Sequence, residues 1–153
     1  MAARVPLLVT APSGASLRCA AILNGGFESE EPAVLLPGSA AVQLYSSYPR
    51  GTGSASGDAA TGEVELRILP WPVSACLSVP ARTCPLVACT AAVSDGATEV
   101  LLSDSAIDAL GLRVESFRLG CWRFADESLV RASEPPQIWP RRRPRRRRPG
   151  KRR

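Results

Sequence analysis

Two stretches of the chain repeat the same order of apolar and polar positions. The first runs from Ala20 to Leu44 and the second from Thr90 to Leu110. Each starts with a short apolar run, turns at a polar residue beside glycine, and continues with the pattern V-L-L-x-x-S-A-x-x-x-L. Two copies are too few for a solenoid, which needs at least three repeats. The repeat therefore predicts one compact domain with an internal pseudo-twofold.

Short apolar runs elsewhere in the chain are typical of β-strands. Residues 5–9 and 16–23 flank a Pro-Ser-Gly break, which predicts a hairpin. Residues 63–69 alternate between polar and apolar side chains, and this period of two predicts a strand with one solvated face. Further strands are predicted at residues 73–79, 86–93, 112–114 and 122–124. The fold class is therefore predicted to be all-β or β-dominated.

Only two short segments have a helical pattern. One covers residues 40–44, and the other begins after an N-cap at Ser103 or Asp104 and ends before Gly111, which suits a C′ position. Residues 45–62 are rich in Gly, Ser and Thr, and this composition predicts a loop. Residues 133–140 read as irregular structure, in which Ile138 and Trp139 are expected to hold the segment against the core.

Charge divides the chain into two parts. Ten of the nineteen basic residues lie in residues 141–153, which leaves nine against fourteen acidic residues in residues 1–140, a net charge of −5. We predict a single domain over residues 1–140, followed by a disordered basic segment at residues 141–153. This asymmetry suggests that the basic segment binds nucleic acid or another polyanion. The residues predicted to do so are Arg141, Arg142, Arg143, Arg145, Arg146, Arg147, Arg148, Lys151, Arg152 and Arg153.

Several classes of site are disfavoured by composition. The chain has no His, and its five Cys include no C-x-x-C pair, so we expect no metal site. The cysteines are expected to be small buried residues, with a disulfide as the alternative. No P-loop sequence is present, and we predict no cofactor. Without a long apolar run we expect no membrane contact and a cytoplasmic protein.

The order of strand, polar turn, apolar strand, short helix and Leu-Gly-Leu resembles the retropepsin-like aspartic proteases, particularly their small archaeal branch. The turn Ile22-Leu23-Asn24-Gly25-Gly26-Phe27 is similar to the apolar-Asp-Thr-Gly-Ala turn of that family. Residues 100–112, V-L-L-S-D-S-A-I-D-A-L-G-L, are similar to its later I-L-G-x-D-x-L-x-x-L-G-L segment. The resemblance covers residues 4–139 and implies a small closed barrel, a homodimer and an active site at Asn24, Gly25 and Gly26.

The chain departs from that family at the position that carries the chemistry. In the family, two turn aspartates share one proton and activate water, because two adjacent carboxylates cannot both ionise. Here Asn24 replaces the aspartate and Gly25 replaces the threonine. An amide forms hydrogen bonds with water but does not take its proton. We therefore expect an inactive copy, unless Asp95 in the second turn supplies a carboxylate beside Asn24.

Three alternatives remain open for these residues. Asn24-Gly25-Gly26 is also compatible with a plain hairpin or strand-end turn, since Asn-Gly is the strongest short signal for a hairpin. The same pair is prone to deamidation, which would create the missing aspartate, because glycine leaves the backbone nitrogen unhindered. Asp104 suits helix capping better than catalysis. At the level of function, the alternative to an aspartic endopeptidase is a non-enzymatic, protease-like scaffold that binds nucleic acid or another polyanion through the basic segment.

Overall fold

The computed structural model describes residues 2–47, 49, 53–59 and 62–143, and of residues 53–59 and 62–64 it describes the backbone alone. Within these residues the chain is β-dominated with two short helices. The elements are β1 (Arg4–Thr10), β2 (Ser16–Leu23), β3 (Ala33–Pro37), α1 (Gly38–Tyr45), β4 (Gly53–Ala59), β5 (Gly62–Ile68), β6 (Val73–Leu77), β7 (Val87–Ser94), β8 (Val100–Leu102), α2 (Asp104–Ala109), β9 (Leu112–Ser116) and β10 (Cys121–Phe124).

Six strands form a closed barrel in the order β3-β8-β2-β1-β6-β7, because β7 pairs back onto β3. β1 and β2 form the predicted hairpin, with Leu7 opposite Cys19. Closure leaves these six strands without a free edge, which removes a common route to edge-to-edge aggregation. The all-β prediction, with a small closed barrel and two short helices, is confirmed.

The sequence repeat corresponds to a repeat in the strand pairing. β2 runs parallel to β8 with Ala21 opposite Val100, and β7 runs parallel to β3 with Ala91 opposite Val34. These two pairs are equivalent when the first copy is aligned on the second. Each half of the chain therefore contributes a strand, a turn and a second strand, and the second strand pairs with the other half. The internal pseudo-twofold predicted from the sequence is present.

Two antiparallel ladders lie on the axis that relates the halves. β3 and β8 pair with Leu35 opposite Leu101. β1 and β6 pair with Val9 opposite Ala75. Each of these pairs joins a residue to its own counterpart in the other half. The two halves are consequently interlocked through the barrel wall and do not form separate lobes.

Aliphatic side chains and alanines fill the barrel interior. The strands β1 and β6 alternate buried and partly buried residues along their length, as expected for a sheet with one inward face. β3 is buried at all five positions, because it is covered by helices on the outside as well as by the core. The core also contains two large aromatic side chains, Trp122 and Phe124, which lie on β10 in the separate two-stranded sheet. Their rings meet edge to face, with 5.4 Å between the ring centroids.

The two helices start differently although they occupy equivalent places. Ser103 caps α2, and its Oγ accepts a hydrogen bond from the Ala106 amide at 3.2 Å. Pro37 stands at the equivalent position before α1 and makes no side-chain cap. Gly111 follows α2 with φ of 71°, the left-handed conformation that favours glycine at C′. The prediction of a helix between Ser103 and Gly111 is confirmed, with Ser103 rather than Asp104 as the cap.

The predicted loop at residues 45–62 is partly wrong. Residues 53–59 form β4, which pairs antiparallel with β5 from Gly53 opposite Ile68 to Ala59 opposite Gly62. The hairpin joins the barrel where Arg67 and Ile68 pair with β7. Small residues such as G-S-A-S-G-D-A have low strand propensity. The ladder offered by β5 therefore decides their conformation, and composition does not.

Residues 125–143 run along the outside of the barrel as irregular chain. The Glu134 amide donates to the Arg4 carbonyl at 2.9 Å, and the Trp139 amide donates to the Thr98 carbonyl at 2.7 Å. Trp139 is buried, which confirms its predicted role in holding this segment against the core. Ile138 is 63% exposed, so the same prediction for Ile138 is wrong. Successive residues of an extended segment face opposite sides, and only one of the two can point inward.

Candidate functional site

The turn at residues 24–27 lies at one end of the barrel, where β2 stops beside β8. The Asn24 amide donates to the Leu102 carbonyl at 3.4 Å, so the turn begins in register with the parallel strand. The Phe27 amide donates to the Asn24 carbonyl at 3.0 Å and closes the turn. The side-chain Oδ1 of Asn24 accepts from the Gly26 amide at 3.1 Å. Asn24 is thus fixed by its backbone on both sides and by its own amide group.

The two glycines of this turn have different requirements. Neither Gly25 nor Gly26 has a positive φ, whereas Gly14, Gly111 and Gly120 do. A Cβ on Gly26 would lie 3.3 Å from Asn24 Oδ1, so a side chain there would press on the hydrogen bond. A Cβ on Gly25 would meet nothing within 4 Å. A side chain at position 26 would therefore require Asn24 Oδ1 to give way by a few tenths of an ångström, while position 25 has room for a side chain.

This turn is not a hairpin. After it, the chain passes through residues 28–32 to β3, which pairs with β8 and β7 and makes no ladder with β2. The hairpin form of the alternative for Asn24-Gly25 is therefore wrong, whereas its other form, a turn at the end of a strand, agrees with the structure. Glu28, Glu30 and Glu31 are exposed to solvent. The acidic cluster is a solvated loop on the outer side of the turn.

Asp104, the first residue of α2, is hydrogen-bonded to the turn and to the segment that follows it. Its amide donates to the Phe27 carbonyl at 3.0 Å, and its Oδ1 accepts from the amides of Ser29 and Ser105 at 3.0 and 2.7 Å. Ser105 Oγ donates to the Ser29 carbonyl at 2.6 Å. The start of α2 is therefore hydrogen-bonded to the segment that follows Asn24. The carboxylate of Asp104 has a structural role here, because it accepts from two amides.

The second turn repeats the hydrogen bonding of the first. The Ala97 amide donates to the Ser94 carbonyl at 3.3 Å, which is the counterpart of the Phe27–Asn24 bond. Its surroundings differ, because Asp95 Oδ2 lies 2.6 Å from Arg67 Nη2 on β5. The Arg142 amide also donates to the Asp95 carbonyl at 3.2 Å. The second turn is thus contacted by β5 and by the start of the basic segment.

Asp95 does not lie beside Asn24. Leu23 is next to Leu102 at one end of the barrel, and Ser94 is next to Pro37 at the other, because β3 runs antiparallel to β8. The two turns are separated by about four residues of β3, roughly 13 Å at the usual rise of a strand. Within one chain, therefore, Asp95 is not placed to supply the carboxylate that Asn24 lacks.

The partners of Asp95 were not predicted from the sequence. Arg67 was recognisable only as a residue on the solvated face of β5. Its pairing with Asp95 depends on the register in which Arg67 lies opposite Val93. The side-chain exposures of the pair, 37% for Arg67 and 30% for Asp95, leave both in contact with water. A pair whose side chains are about one third exposed contributes little to stability, typically about 0–1 kcal/mol.

The structure describes only the first three residues of the basic segment. Arg141 and Arg143 are exposed, and Arg142 is partly buried. Ser39 Oγ donates to the Pro140 carbonyl at 2.9 Å, so the segment leaves the barrel beside α1 and the second turn. Its remaining predicted binding residues lie outside the described part of the chain. They are Arg145, Arg146, Arg147, Arg148, Lys151, Arg152 and Arg153.

All five cysteines are unpaired in the structure. Burial raises the pKa of the Cys19 thiol to about 12 and that of Cys89 to about 11, so both are neutral thiols in the core. Among the described residues there is no group of three or more Cys, Asp or Glu side chains that could hold a metal ion. Cys19 and Cys89 are buried small residues as predicted, whereas Cys76, Cys84 and Cys121 are only partly buried.

The search of the described residues for membrane-spanning helices and the comparisons with protein families and curated proteins gave no match. No helix in the described part of the chain has both the length and the apolar character to cross a membrane. The chain matches no protein-family model, and no curated protein is significantly similar to it.

Proposed function

We propose that this chain is a retropepsin-like protein that does not hydrolyse peptides as encoded and that serves as a binding module. The observation that carries the proposal is the environment of Asn24. It stands at the end of β2, where the resemblance puts the catalytic aspartate, and its Oδ1 accepts from Gly26 at 3.1 Å. An amide in this place orients a water molecule but does not remove its proton.

The position of Asp95 supports the loss of activity. A second carboxylate within hydrogen-bonding distance of the reacting water is needed for the shared-proton mechanism. Asp95 lies at the other end of the barrel and is paired with Arg67. In the homodimer that the resemblance implies, two Asn24 amides would meet, and still no base would be present. The dimer stays a prediction, because it rests on the resemblance.

The test compares cleavage of a peptide library from acid to neutral pH by the wild-type chain and by Asn24→Asp. An aspartic-protease inhibitor serves as the chemical control. We expect cleavage by Asn24→Asp alone, and we expect the double variant with Asp95→Asn to cleave equally well. Cleavage by freshly purified wild type, in which peptide mass mapping shows residue 24 to be wholly asparagine, would refute the proposal. Cleavage by neither protein would remove the protease resemblance as a guide to function.

A second candidate function is binding of nucleic acid or another polyanion through the basic segment. The observation that favours it is that Arg141 and Arg143 are exposed where the segment leaves the barrel. Arginine side chains remain charged at all accessible pH values and bind phosphate through two parallel hydrogen bonds. The exit lies beside the second turn, at the end away from Asn24. The two candidate functions therefore use separate ends of the barrel and are compatible.

The test measures binding to single-stranded RNA as a function of salt. Truncation after Arg143 keeps every contact described for the segment and removes seven of its ten basic residues. Each phosphate contact contributes about 0.7 to the slope of log K against log salt for a single strand. We expect the truncated chain to bind more weakly and with a smaller slope. Equal slopes for the two proteins would exclude the basic segment as the binding element.

A further inference from the structure

The turn at Asn24 exposes a backbone amide that has no assigned role. Gly25 is solvent-exposed and, apart from its two chain neighbours, no described residue has an atom within 4 Å of the place where its Cβ would be. Within the described part of the chain, no oxygen accepts a hydrogen bond from the Gly25 amide. An unblocked, unbonded amide next to an asparagine side chain is the arrangement that lets the backbone nitrogen attack that side chain.

The neighbouring amide activates the atom that would be attacked. Gly26 N–H donates to Asn24 Oδ1 at 3.1 Å, and this hydrogen bond polarises the side-chain carbonyl. When a nucleophile adds to Asn24 Cγ, negative charge develops on Oδ1, and the same donor stabilises it as a backbone amide does in an oxyanion hole. The bonds to Leu102 and from Phe27 hold the turn while this occurs. One turn therefore combines a free nucleophile with a donor to the developing oxyanion.

We propose that Asn24 is a self-modification site, at which Gly25 N converts the amide to a carboxylate through a cyclic imide. A bond forms between Gly25 N and Asn24 Cγ, and the Cγ–Nδ2 bond breaks. Nδ2 leaves as ammonia and carries away the proton from Gly25. Water then adds to the imide. Cleavage of the Gly25 N–Cγ bond gives aspartate, and cleavage at the main-chain carbonyl of residue 24 gives isoaspartate.

Conversion changes the turn in three ways. It introduces a negative charge at the end of β2, where the wild-type sequence has a neutral amide. The aspartate product also restores the residue type that the resemblance implies for catalysis, and this second consequence rests on the proposed function. The isoaspartate product lengthens the backbone by one carbon between β2 and Gly25. It is therefore expected to disturb the register of the Asn24–Leu102 bond.

The chain is well suited to a direct test, because Asn24 is its only asparagine. The full-length wild-type protein is incubated from pH 6 to pH 9, at about 25 °C, and sampled by peptide mass mapping and by release of ammonia. We expect a mass increase confined to the peptide that contains residue 24. The rate should rise with pH, because Gly25 N must lose its proton. A wild-type peptide that stays wholly asparagine in the folded protein, while the urea-unfolded chain converts, overturns the proposal.

Gly25→Thr is the matched variant. Position 25 has space for a side chain and no positive φ, so the fold should tolerate threonine, and thermal unfolding checks this. A β-branched side chain hinders the attacking nitrogen. We expect loss of the mass increase in Gly25→Thr, and an unchanged rate in this variant refutes the role of Gly25. The peptidase assay on Asn24→Asp is interpreted separately. If the wild type is modified but Asn24→Asp does not cleave peptides, only the proposed function is refuted. If Asn24→Asp cleaves peptides but the wild type is not modified, only this inference is refuted.

Discussion

Replacing Ser103 by alanine removes a buried side chain that joins the two repeated units next to the candidate site. Ser103 is fully buried, and its Oγ accepts hydrogen bonds from the amides of Ala33 and Ala106 at 3.0 and 3.2 Å. The first bond continues the ladder between β3 and β8, and the second caps α2. The Ser103 amide in turn donates to the Ala33 carbonyl at 3.0 Å. Ser103→Ala therefore breaks a sheet contact and a helix cap together.

The expected loss of stability follows from these two bonds. Removing an N-cap acceptor costs about 0.5–2 kcal/mol. Leaving the buried Ala33 amide without an acceptor costs about 1–3 kcal/mol more. Since the contributions share one atom and are not strictly additive, we expect Ser103→Ala to lower the free energy of unfolding by about 2–4 kcal/mol. For a domain of this size, the thermal midpoint should fall by roughly 5–15 °C.

The measurement is equilibrium unfolding in urea, with coincidence of fluorescence and circular dichroism as the test of two-state behaviour. Ser39→Ala is the control, because Ser39 lies at the start of the other helix and its Oγ makes a single, exposed bond to the Pro140 carbonyl. We expect the control to lose less than about 1 kcal/mol. The reasoning is refuted if the two variants lose the same stability, or if Ser103→Ala loses less than about 1 kcal/mol.

Four further predictions follow from the ionisable groups and the packing. Burial raises the pKa of the Cys19 thiol from 9.0 to about 12. The thiol therefore loses its proton first in the unfolded chain, and the free energy of unfolding should fall as pH rises across that range. Cys19→Ala should flatten the dependence of the urea midpoint on pH, and the same dependence in the wild type and the variant would contradict this. Arg4 donates to the two carboxylate oxygens of Glu99 at 2.7 and 3.0 Å, in a pair that is 12% and 15% exposed. Glu99→Gln removes the negative charge and one of the two acceptors, and should cost about 1–3 kcal/mol by urea unfolding. Asp108→Asn, in the exposed pair with Arg113, should change stability by less than about 0.5 kcal/mol. If Asp108→Asn costs more stability than Glu99→Gln, burial does not decide the strength of these two ion pairs. Trp139→Ala should cost about 3–5 kcal/mol and should increase protease cleavage within residues 133–143, whereas unchanged cleavage would show that Trp139 does not hold this segment.

The repeated units were predictable because they carry their signals locally. The V-L-L-x-x-S-A pattern identifies β3 with α1 and β8 with α2, and Ser103 with Gly111 marks the ends of the second helix. Once a repeat is recognised, the pseudo-twofold follows without any knowledge of strand order. These features depend on periodicity and capping chemistry within a few residues.

The relation between the two turns was not predictable from the repeat. A pseudo-twofold is satisfied equally by turns that meet and by turns at opposite ends, and only the antiparallel pairing of β3 with β8 distinguishes the two. β4 was missed because a strand of glycine, serine and alanine depends on its partner β5. The pair of Arg67 with Asp95 was missed for the same reason, since it depends on long-range register.

The ladders on the pseudo-twofold axis have a consequence for the origin of the chain. Leu35 with Leu101, and Val9 with Ala75, each pair a residue with its own counterpart. Two identical copies of one half would make the same two ladders with each other, as the halves do now. The barrel is therefore equivalent to a symmetric dimer joined into a single chain. Fusion frees each half to change separately, which is consistent with an amide in one turn and a carboxylate–arginine pair in the other.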